Sequence, residues 1–471
     1  MEATSHTRRA FLQAVGLGAA AFAARGARAA GPAAKKPNVL FIFTDDQRED
    51  TIGALGNPHI HTPNLDALVR SGTAFTNTYC MGGFSGAVCL PSRMMMLRGR
   101  SWFSVRNLPK GFPNFPTSMN EAGYETCHLG KKGNTDRQVH TFFAHNTYVS
   151  RGPEPGKPQA DGAIEFLRSR KRDKPFFLYL SGPAPHDPRV APKEYMDRYD
   201  AARIPVPPNF MPFHPFDNGE MTIRDERLAP WPRTKAEIRR HLRDYYAMVT
   251  HLDAQIGRVI QTLKDTGDYD NTIIIFASDQ GIAVGSHGLM GKQNLYEHSM
   301  GVPLIFSGPG IPKGRKADAF AYLFDVFPTV CDLVGAPVPK GLDGRSLAPI
   351  LRGHAQGVRD TVFLAYRSAQ RAVRRGRWKL IQYPQINTTQ LFDLADDPAE
   401  TKNLASSPAH AGTVKELMAI MAEQQKLFGD TVPLKSDAPR QGKVDLTFFE
   451  RQAARQRERQ KAARKAKRRK K

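Results

Sequence analysis

Residues 38–47 read NVLFIFTDDQ, so that a short apolar run, Asn38–Phe43, passes directly into a polar segment. Such a run is typical of a strand that is buried on both faces of a sheet. Three later segments have the same character: Phe176–Leu180 (FFLYL), Thr272–Ala277 (TIIIFA) and Val302–Phe306 (VPLIF). Between Phe176–Leu180 and Thr272–Ala277, apolar residues at spacings of three and four from Leu242 to Leu263 indicate a long amphipathic helix. Strands that alternate with helices predict an α/β fold with a mostly parallel central sheet flanked by helices.

A smaller C-terminal unit follows the predicted sheet. Arg374–Tyr383 and Thr389–Leu394 read as short paired strands, and Ser407–Gln425 carries a helical pattern. These patterns predict a C-terminal α+β subdomain. The predicted divisions of the chain after its N-terminus are a main domain at 37–370, the subdomain at 371–440 and a tail at 441–471.

The charge of the chain is concentrated at its C-terminus. The 471 residues include 68 Lys and Arg against 45 Asp and Glu, a formal charge of +23. Residues 451–471 contain twelve Lys or Arg and one Glu, and so supply +11 of that total. The excess is therefore no argument for a nucleic-acid-binding domain, and we expect no nucleic-acid partner. Mutual repulsion of these cations predicts a disordered tail, which either is a solvated extension or contacts an anionic polymer or surface.

The N-terminus has the pattern of an export signal. Thr7–Leu12 (TRRAFL) is followed by an apolar run, Ala14–Ala24, and by the small-x-small cleavage site Ala27-Arg28-Ala29. The run is too short for a bilayer, which needs about 20 residues, and the adjacent arginines resemble those of a twin-arginine signal. We predict a signal peptide at 1–29, the twin-arginine export machinery as a partner and a periplasmic or extracellular location. A basic, alanine-rich disordered start is the alternative.

The four cysteines are too few for a disulfide-stapled scaffold. A chain that folds in the reducing cytosol before export has little opportunity to form bridges. We therefore expect Cys80, Cys127 and Cys331 to be free and to serve mainly in packing.

Polar side chains follow the predicted strands, at the edge of the sheet where ligands bind in α/β folds. They are Asp45 and Asp46 after the first run, His186 after FFLYL, and Asp279 and Gln280 after TIIIFA. Adjacent carboxylates repel by about 4 kcal/mol at roughly 4 Å and an effective dielectric constant of about 20, and a divalent cation offsets that repulsion. Ligands that are all oxygen atoms favour a hard ion, Ca²⁺ or Mg²⁺, over zinc. A solvated Asp-Asp turn is the alternative.

The segment Cys89-Leu90-Pro91-Ser92-Arg93 is a second candidate for chemistry. Pro91 suits the first turn of a helix, which places Cys89 at the helix N-terminus, where backbone N–H groups favour an anion. Arg93 directs a permanently charged, forked donor to the same place. A buried free cysteine is the alternative.

The pattern Cys-x-Pro-Ser-Arg at 89–93, with Gly99-Arg100 after it, resembles the signature of the type I sulfatases, which belong to the alkaline-phosphatase-like superfamily. The resemblance covers residues 37–404, and its motifs occur in the right order. The further motifs are Asp45-Asp46-Gln47, Thr62-Pro63-Asn64-Leu65-Asp66, Gly123-Tyr124-Glu125-Thr126, Gly130-Lys131, Ala184-Pro185-His186-Asp187-Pro188, Ser278-Asp279-Gln280-Gly281, His287-Gly288-Leu289, Gly291-Lys292, Tyr296-Glu297 and Leu391-Phe392-Asp393-Leu394. The resemblance implies an alkaline-phosphatase-like fold and a sulfuric ester hydrolase.

It also implies a modified residue and a metal. In that family a maturation enzyme oxidises the motif cysteine, here Cys89, to formylglycine (3-oxoalanine), whose hydrate is the nucleophile. The implied cation is Ca²⁺, with Mg²⁺ as the alternative, together with an oxygen of modified Cys89. The implied metal ligands are Asp45, Asp46, Asp279 and Gln280.

Four cationic residues have implied roles at the reacting sulfate. Arg93 and Lys131 would stabilise the hydrate and the sulfate, and His186 and Lys292 would hold the sulfate and its bridging oxygen. Hydrolysis builds negative charge on the leaving oxygen, and preorganised cations there contribute most of the catalysis. The implied substrate is a sulfated small molecule or polysaccharide, and we expect a sulfated carbohydrate.

One motif departs from the family. The sulfatases often continue Gly-Lys-x-His, whereas this chain reads Gly130-Lys131-Lys132-Gly133. The missing histidine would deprotonate the sulfated hydrate and so expel sulfate. His128 or His140 could substitute for it, or another base could serve.

Two other functions stay as alternatives. One is a phosphomonoester or phosphonate hydrolase of the same superfamily, which shares the metal and the formylglycine. The other is a non-catalytic protein that binds sulfated polymer, which the absent histidine and the basic tail would suit. The Pro- and Phe-rich segment Ile204–Trp231 is a candidate for substrate contact, but its residues indicate no particular sugar.

Overall fold

The structure, a computed structural model, describes residues 35–445, 447–451, 454, 455 and 458. The predicted signal peptide, 1–29, and most of the basic tail lie outside these residues and stay predictions. Within the described part of the chain, none of the helices has both the length and the apolar character that a bilayer span requires.

The described strands form two sheets. The larger sheet contains β1 (Asn38–Thr44), β2 (Gly72–Tyr79), β4 (Glu125–Gly130), β5 (His145–Tyr148), β6 (Phe176–Ser181), β7 (Thr272–Ser278), β8 (Leu304–Ser307) and β9 (Arg315–Tyr322). The smaller sheet contains β3 (Gly82–Gly83), β10 (Thr361–Tyr366), β11 (Gln370–Arg375), β12 (Trp378–Tyr383) and β13 (Thr388–Asp393).

The larger sheet is mostly parallel. Its strand order is β5-β4-β6-β1-β7-β8-β2-β9, and among these described strands only β8 runs antiparallel to its neighbours. Val39 in the central strand β1 lies opposite Phe177 of β6 and Ile273 of β7. The predicted α/β fold with a mostly parallel central sheet is confirmed.

Helices cover both faces of this sheet. The described helices of the chain are α1 (Pro63–Ser71), α2 (Cys89–Arg98), α3 (Phe115–Glu121), α4 (Arg137–His140), α5 (Lys157–Ser169), α6 (Lys193–Met196), α7 (Lys235–Asp265), α8 (Glu297–Met300), α9 (Val326–Leu333), α10 (Ala348–Leu351) and α11 (Ala411–Phe428). The last of them, α11, packs on β11 and β12 of the smaller sheet. Successive residues of a strand point to opposite faces. In β1, Leu40 and Ile42 therefore pack with α1, α5 and α7, whereas Val39 and Phe41 pack with α2, α3 and α9.

The smaller sheet begins earlier than the predicted subdomain. Strands β10 to β13 are antiparallel, and the edge strand β3 pairs in parallel with β10. Because β10 starts at Thr361 and β11 at Gln370, the predicted boundary at 370/371 falls inside β11, after its first residue, and assigns the paired strand β10 to the main domain. The two sheets also share one hydrophobic cluster, which contains both Phe41 and Phe363.

Two element bounds differ from the sequence-based prediction. Arg374–Tyr383, predicted as one strand, includes the turn between β11 and β12, where Gly376 has φ +53°, a left-handed conformation that glycine adopts without strain. Helix α11 begins and ends later in the chain than the predicted Ser407–Gln425.

The predicted disordered tail, 441–471, begins too early. The carbonyl oxygen of Gly442 accepts a hydrogen bond from the backbone N–H of Asp217 at 2.9 Å. Residues 447–451 are helical, and Phe449 is buried, with its ring centroid 4.1 Å from that of Trp231. Apolar packing thus extends the folded chain at least to Phe449, which a charge count alone did not indicate.

Candidate active site

The ends of β1 and β7 bring two pairs of polar residues together. The strands pair in register to their last residues, so that Asp45-Asp46 and Asp279-Gln280 leave the sheet side by side. The backbone N–H of Asp46 donates to Oδ1 of Asp279 at 3.1 Å, and Nε2 of Gln280 donates to Oδ1 of Asp46 at 2.6 Å. Asp46 has φ +65°, a conformation that aspartate tolerates better than most residues. These bonds fix the predicted metal ligands relative to one another.

Cys89 lies inside this polar cluster. It is the first residue of α2 and is buried. Its thiol donates to Oδ1 of Asp45 at 3.2 Å, while Nε2 of Gln280 and Nζ of Lys292 lie 3.0 and 3.5 Å from Sγ. Burial, and then the Asp45 carboxylate, raises the pKa of the thiol well above its usual value. The other three cysteines are buried and free, as predicted.

Two lysines pair with the adjacent carboxylates. Nζ of Lys292 lies 2.7 and 2.9 Å from the two oxygens of Asp46, and Lys131, which follows β4, forms an ion pair with Asp45. Burial alone would raise the pKa of Asp45, but the surrounding cations, led by Lys131, hold it well below its usual range. Burial alone would lower the pKa of Lys292, but Asp46 raises it well above its usual value. Asp45 and Lys292 are therefore charged at neutral pH.

Arg93 is fully buried next to the carboxylates. It follows Cys89 by one helical turn, and its Nε donates to Oδ2 of Asp279 at 2.9 Å. Nη2 donates to the carbonyl oxygen of Thr44 at 3.3 Å, and the guanidinium lies over the ring of Phe43, 5.1 Å from its centroid. Nη1 has no hydrogen-bond partner among the described residues. Since arginine stays protonated in proteins, Arg93 supplies fixed positive charge and one donor that the described residues do not use.

The cluster fits a hard cation. One ligand atom each of Asp45, Asp46, Asp279 and Cys89 lie within 4.8 Å of one another. Oε1 of Gln280 is buried and has no hydrogen-bond partner within the described chain, which costs free energy unless another group contacts it. Burial, and then Asp45, raises the pKa of Asp279, as expected for carboxylates crowded in a buried site. Oxygen donors of this kind suit Ca²⁺ or Mg²⁺.

His186 lies at the opening of the cluster, in the loop after β6. Its side chain is 23% exposed and that of Lys131 is 12% exposed, whereas those of Asp46 and Lys292 are nearly inaccessible. Nδ1 of His186 lies 2.8 Å from the carbonyl oxygen of Asp187, and Nε2 lies 3.7 Å from Oδ2 of Asp46. A proton on Nδ1 leaves Nε2 directed at the carboxylates.

The structure thus brings all the predicted site residues together, since each lies within 4 Å of another member of the set. Sequence analysis missed Tyr245, whose hydroxyl donates to the carbonyl oxygen of Asp46 at 2.6 Å and accepts from the backbone N–H of Arg48 at 3.0 Å. The apolar residues spaced by three and four from Leu242 to Leu263 include Tyr246, four residues after Leu242, but not Tyr245. No local pattern distinguishes a tyrosine that supports a distant turn from one that only packs.

A comparison with family models identifies the chain. The model described as Sulfatase matches residues 37–336, which include the whole cluster. The chain belongs to the sulfatase family. A second model, N-sulphoglucosamine sulphohydrolase, C-terminal, matches residues 285–427, which contain Lys292 and the smaller sheet from β10 onward. The protein is therefore a sulfatase, a hydrolase of sulfuric esters.

Proteins named as sulfatases are similar to this chain over most of its length. An N-acetylglucosamine-6-O-sulfatase from Bacteroides thetaiotaomicron is 27% identical over 501 aligned positions, which cover 85% of this chain and 88% of that protein. A choline-sulfatase from Rhizobium meliloti is 29% identical and covers 79% of this chain and 83% of its own length.

Solved structures share the fold. One, an enzyme in complex with its substrate D-glucosamine-2-N,6-O-disulfate, has a TM-score of 0.71 at 26% identity and covers 86% of this chain and 100% of its own. A phosphonate monoester hydrolase from Silicibacter pomeroyi has a TM-score of 0.68 at 26% identity and covers 84% of this chain and 96% of its own. The alkaline-phosphatase-like fold of the sulfatase is thereby confirmed.

The two histidines considered as substitutes for the missing one are both buried in this sulfatase. Nδ1 of His128 lies 2.9 Å from Oδ1 of Asn146 and Nε2 lies 2.8 Å from Oγ of Ser181, and the ring packs against that of His140, with centroids 3.8 Å apart and the planes tilted by 34°. Burial lowers the pKa of His128 to about 4. Among the described contacts, neither histidine touches Cys89. The identity of the replacement base therefore stays open. Both histidines are buried, and three of their four ring nitrogens lie within hydrogen-bond distance of other side chains, which makes the pair a poor candidate.

Proposed function

We propose that this sulfatase hydrolyses a sulfate ester of a carbohydrate, through a formylglycine nucleophile formed from Cys89 and with a bound divalent cation. The observation that carries the proposal is the surroundings of Cys89. Within 3.5 Å of its Sγ lie a carboxylate, an amide and an ammonium group. A cysteine that only packs needs no such neighbours, whereas a nucleophile that attacks an anionic ester needs them.

The metal site would contribute charge at the reacting centre. A bound Ca²⁺ or Mg²⁺ supplies Lewis acidity and lowers the cost of an ionised nucleophile. The residues that would hold it are Asp45, Asp46, Asp279 and Gln280. Because Arg93 is bonded to Asp279 and packed on Phe43, its charge needs no reorganisation during the reaction.

The remaining cations would act on the sulfate group. Lys131 and Lys292 each pair with one carboxylate, and an ammonium group has three donors, so that both can also contact a sulfate oxygen. His186 lies at the opening, where the alcohol part of the ester must point outward. When protonated at Nε2, its imidazole would give that proton to the leaving oxygen.

The proposed substrate class rests on two similar proteins. One is named an N-acetylglucosamine-6-O-sulfatase, and another holds D-glucosamine-2-N,6-O-disulfate as its substrate. The likeness to a phosphonate monoester hydrolase favours a second activity on phosphonate esters, since the metal and nucleophile design would be shared.

A substrate panel tests the proposal. We would compare kcat/KM for sulfated glucosamine saccharides, choline sulfate, an aryl sulfate and an aryl phosphonate ester. A sulfated saccharide should give the highest value. A higher value for choline sulfate or for the phosphonate would contradict the carbohydrate assignment, and Cys89→Ala protein serves as the control for contaminating activity.

We also propose when Cys89 is modified and where the enzyme acts. Because the folded chain buries Cys89, a maturation enzyme would have to modify it before folding is complete, in the cytosol. Export of the folded protein by the twin-arginine route would then deliver it to the periplasm or beyond. Replacing Arg8 and Arg9 by lysine should leave active enzyme in the cytoplasmic fraction, and unchanged export would contradict the route.

A further inference from the structure

Three consecutive residues of the segment Ile204–Trp231 contact two of the loops that carry proposed sulfate-binding side chains, those of His186 and Lys292. We call residues 224–226 (Arg-Asp-Glu) the brace. His186 lies in the loop after β6, and Lys292 lies between β7 and α8. The brace comes from neither loop, so its contacts join parts of the chain that are distant in sequence.

The first arm of the brace reaches the His186 loop. Nη1 of Arg224 donates to Oδ1 of Asp187 at 2.6 Å, and Nη2 pairs with Oδ2 of the same carboxylate. Asp187 is buried, its carbonyl oxygen lies 2.8 Å from Nδ1 of His186, and its Oδ1 lies 3.4 Å from that nitrogen. A guanidinium fork fixes a carboxylate both in position and in direction. Arg224 therefore holds the residue that orients the imidazole.

The second arm reaches the backbone of Lys292. Oδ2 of Asp225 accepts from Nε2 of Gln293 at 2.8 Å, and Oε1 of Gln293 accepts from the backbone N–H of Lys292 at 3.0 Å. A Cβ atom at Gly291 would lie 2.4 Å from Oε1 of Gln293, so any larger residue at position 291 would displace this amide from its present position.

The third arm holds the two residues before Lys292. The carboxylate of Glu226 accepts from the backbone N–H groups of Met290 and Gly291 at 2.9 and 2.8 Å. Nη2 of the buried Arg233 donates to the same carboxylate at 2.7 Å. With these three donors Glu226 is fully engaged, and it ties the Lys292 loop to the segment Ile204–Trp231.

We propose that the brace sets the relative position of His186 and Lys292, so that Arg224, Asp225 and Glu226 are positioning residues for sulfate binding. The proposal rests on the proposed function, in which both side chains contact the sulfate. Two cations can contact one small anion together only when the distance between them fits the size of that anion. A displacement of a contacting group by about 1 Å can cost about a hundredfold in rate. The segment that sequence analysis assigned to substrate contact would thus also fix the binding geometry.

Binding of inorganic sulfate tests the proposal apart from turnover. The parent is full-length Cys89→Ala protein with Ca²⁺ present, titrated with sodium sulfate in a calorimeter. Arg224→Ala should weaken sulfate binding about tenfold, as expected for misplaced partners, and Arg224→Lys should weaken it severalfold although it keeps the charge, since lysine lacks the fork. Arg227→Ala is the matched control, because Arg227 is exposed and has no ion pair among the described residues. Its affinity should stay within about twofold of the parent.

A double-mutant cycle separates positioning from general electrostatics. In a His186→Ala background, Arg224→Ala should cause no further loss of sulfate affinity. Equal losses with and without His186, or parent-like binding by Arg224→Ala, would overturn the brace while leaving the sulfate-binding roles of His186 and Lys292 intact. A parent protein that binds no sulfate would instead overturn those roles, and the brace with them. Arg224 is half exposed, so its truncation leaves no core cavity.

Discussion

Lys292 donates from Nζ to both carboxylate oxygens of Asp46, at 2.7 and 2.9 Å, although the two residues are 246 positions apart in the chain. The pair is buried, and charges taken out of water stabilise a site only when each has a partner. Lys292 therefore has two tasks in the proposed mechanism: it balances one of the crowded carboxylates, and it presents its remaining donor to the reacting group.

The first prediction concerns that donor. Lys292→Ala should lower kcat/KM for an aryl sulfate by about 10²–10³, the range found when one preorganised donor is removed from a reacting centre. Lys292→Arg, which keeps the charge but not the geometry, should recover only part of the loss. Steady-state kinetics and a melting curve for each variant provide the check. A variant that folds and keeps more than a tenth of the activity would rule out the proposed role.

The second prediction concerns the metal. A chelator should inactivate the enzyme and lower its melting temperature, because the buried carboxylates of Asp45, Asp46 and Asp279 would lose their common partner. Ca²⁺ or Mg²⁺ should restore both properties better than Zn²⁺, since the protein ligands are oxygen atoms. Elemental analysis of active protein is the second measurement. Stoichiometric zinc without a group-two metal would contradict the assignment.

The third prediction concerns acid stability. Burial lowers the pKa of His214 to about 4, so below pH 6.5 the unfolded chain takes up a proton that the folded chain excludes. Stability from this group is complete above that pH and falls as the pH drops towards 4. At pH 5 the loss is about 2 kcal/mol relative to pH 7, at about 1.4 kcal/mol per pH unit. Urea unfolding of wild-type and His214→Asn protein at both pH values measures it, and an equal pH dependence of the two proteins would contradict the prediction.

The fourth prediction concerns the basic tail, for which tethering to an anionic polymer is our hypothesis. Deleting residues 452–471, which spares the buried Phe449, should leave aryl sulfate turnover and the melting temperature unchanged. It should weaken binding to sulfated polysaccharide at low ionic strength, because multiple cations release counterions on binding. The matched control is deletion from residue 443, which also removes Phe449 from its contact with Trp231 and should lower the melting temperature. Equal polymer binding across a salt series would leave the solvated extension as the better account.

Local sequence patterns predicted the sheet and much of the site because their physical basis is local. The run Asn38–Phe43 can be buried on both faces only in a central strand, and Pro91 near a helix start places Cys89 at the N-terminus of α2. Since carboxyl ends of parallel strands meet at one edge, the residues that follow β1 and β7 had to be neighbours.

Features that depend on distant pairing could not be predicted in this way. Gly82–Gly83 forms an edge strand only because Ala365 and Tyr366 lie beside it, and two glycines carry no strand signal. In the sequence, the brace at 224–226 has the pattern of an ordinary charged turn. Its contacts with the loops of His186 and Lys292 are visible only in the folded structure. Phe449 lies next to the basic run at 451–471. The composition of that run suggested a disordered tail, although Phe449 packs on Trp231.

Conversion of Cys89 into the nucleophile can be measured from the mass of a single tryptic peptide. Trypsin should release Ser71–Arg93 from active enzyme, a peptide that holds both Cys89 and Cys80. After alkylation, we predict one alkylated cysteine, at Cys80, and an aldehyde at Cys89 that has lost its sulfur and reacts with a hydrazine probe. Two alkylated cysteines in fully active enzyme, with no aldehyde-bearing peptide, would contradict the account.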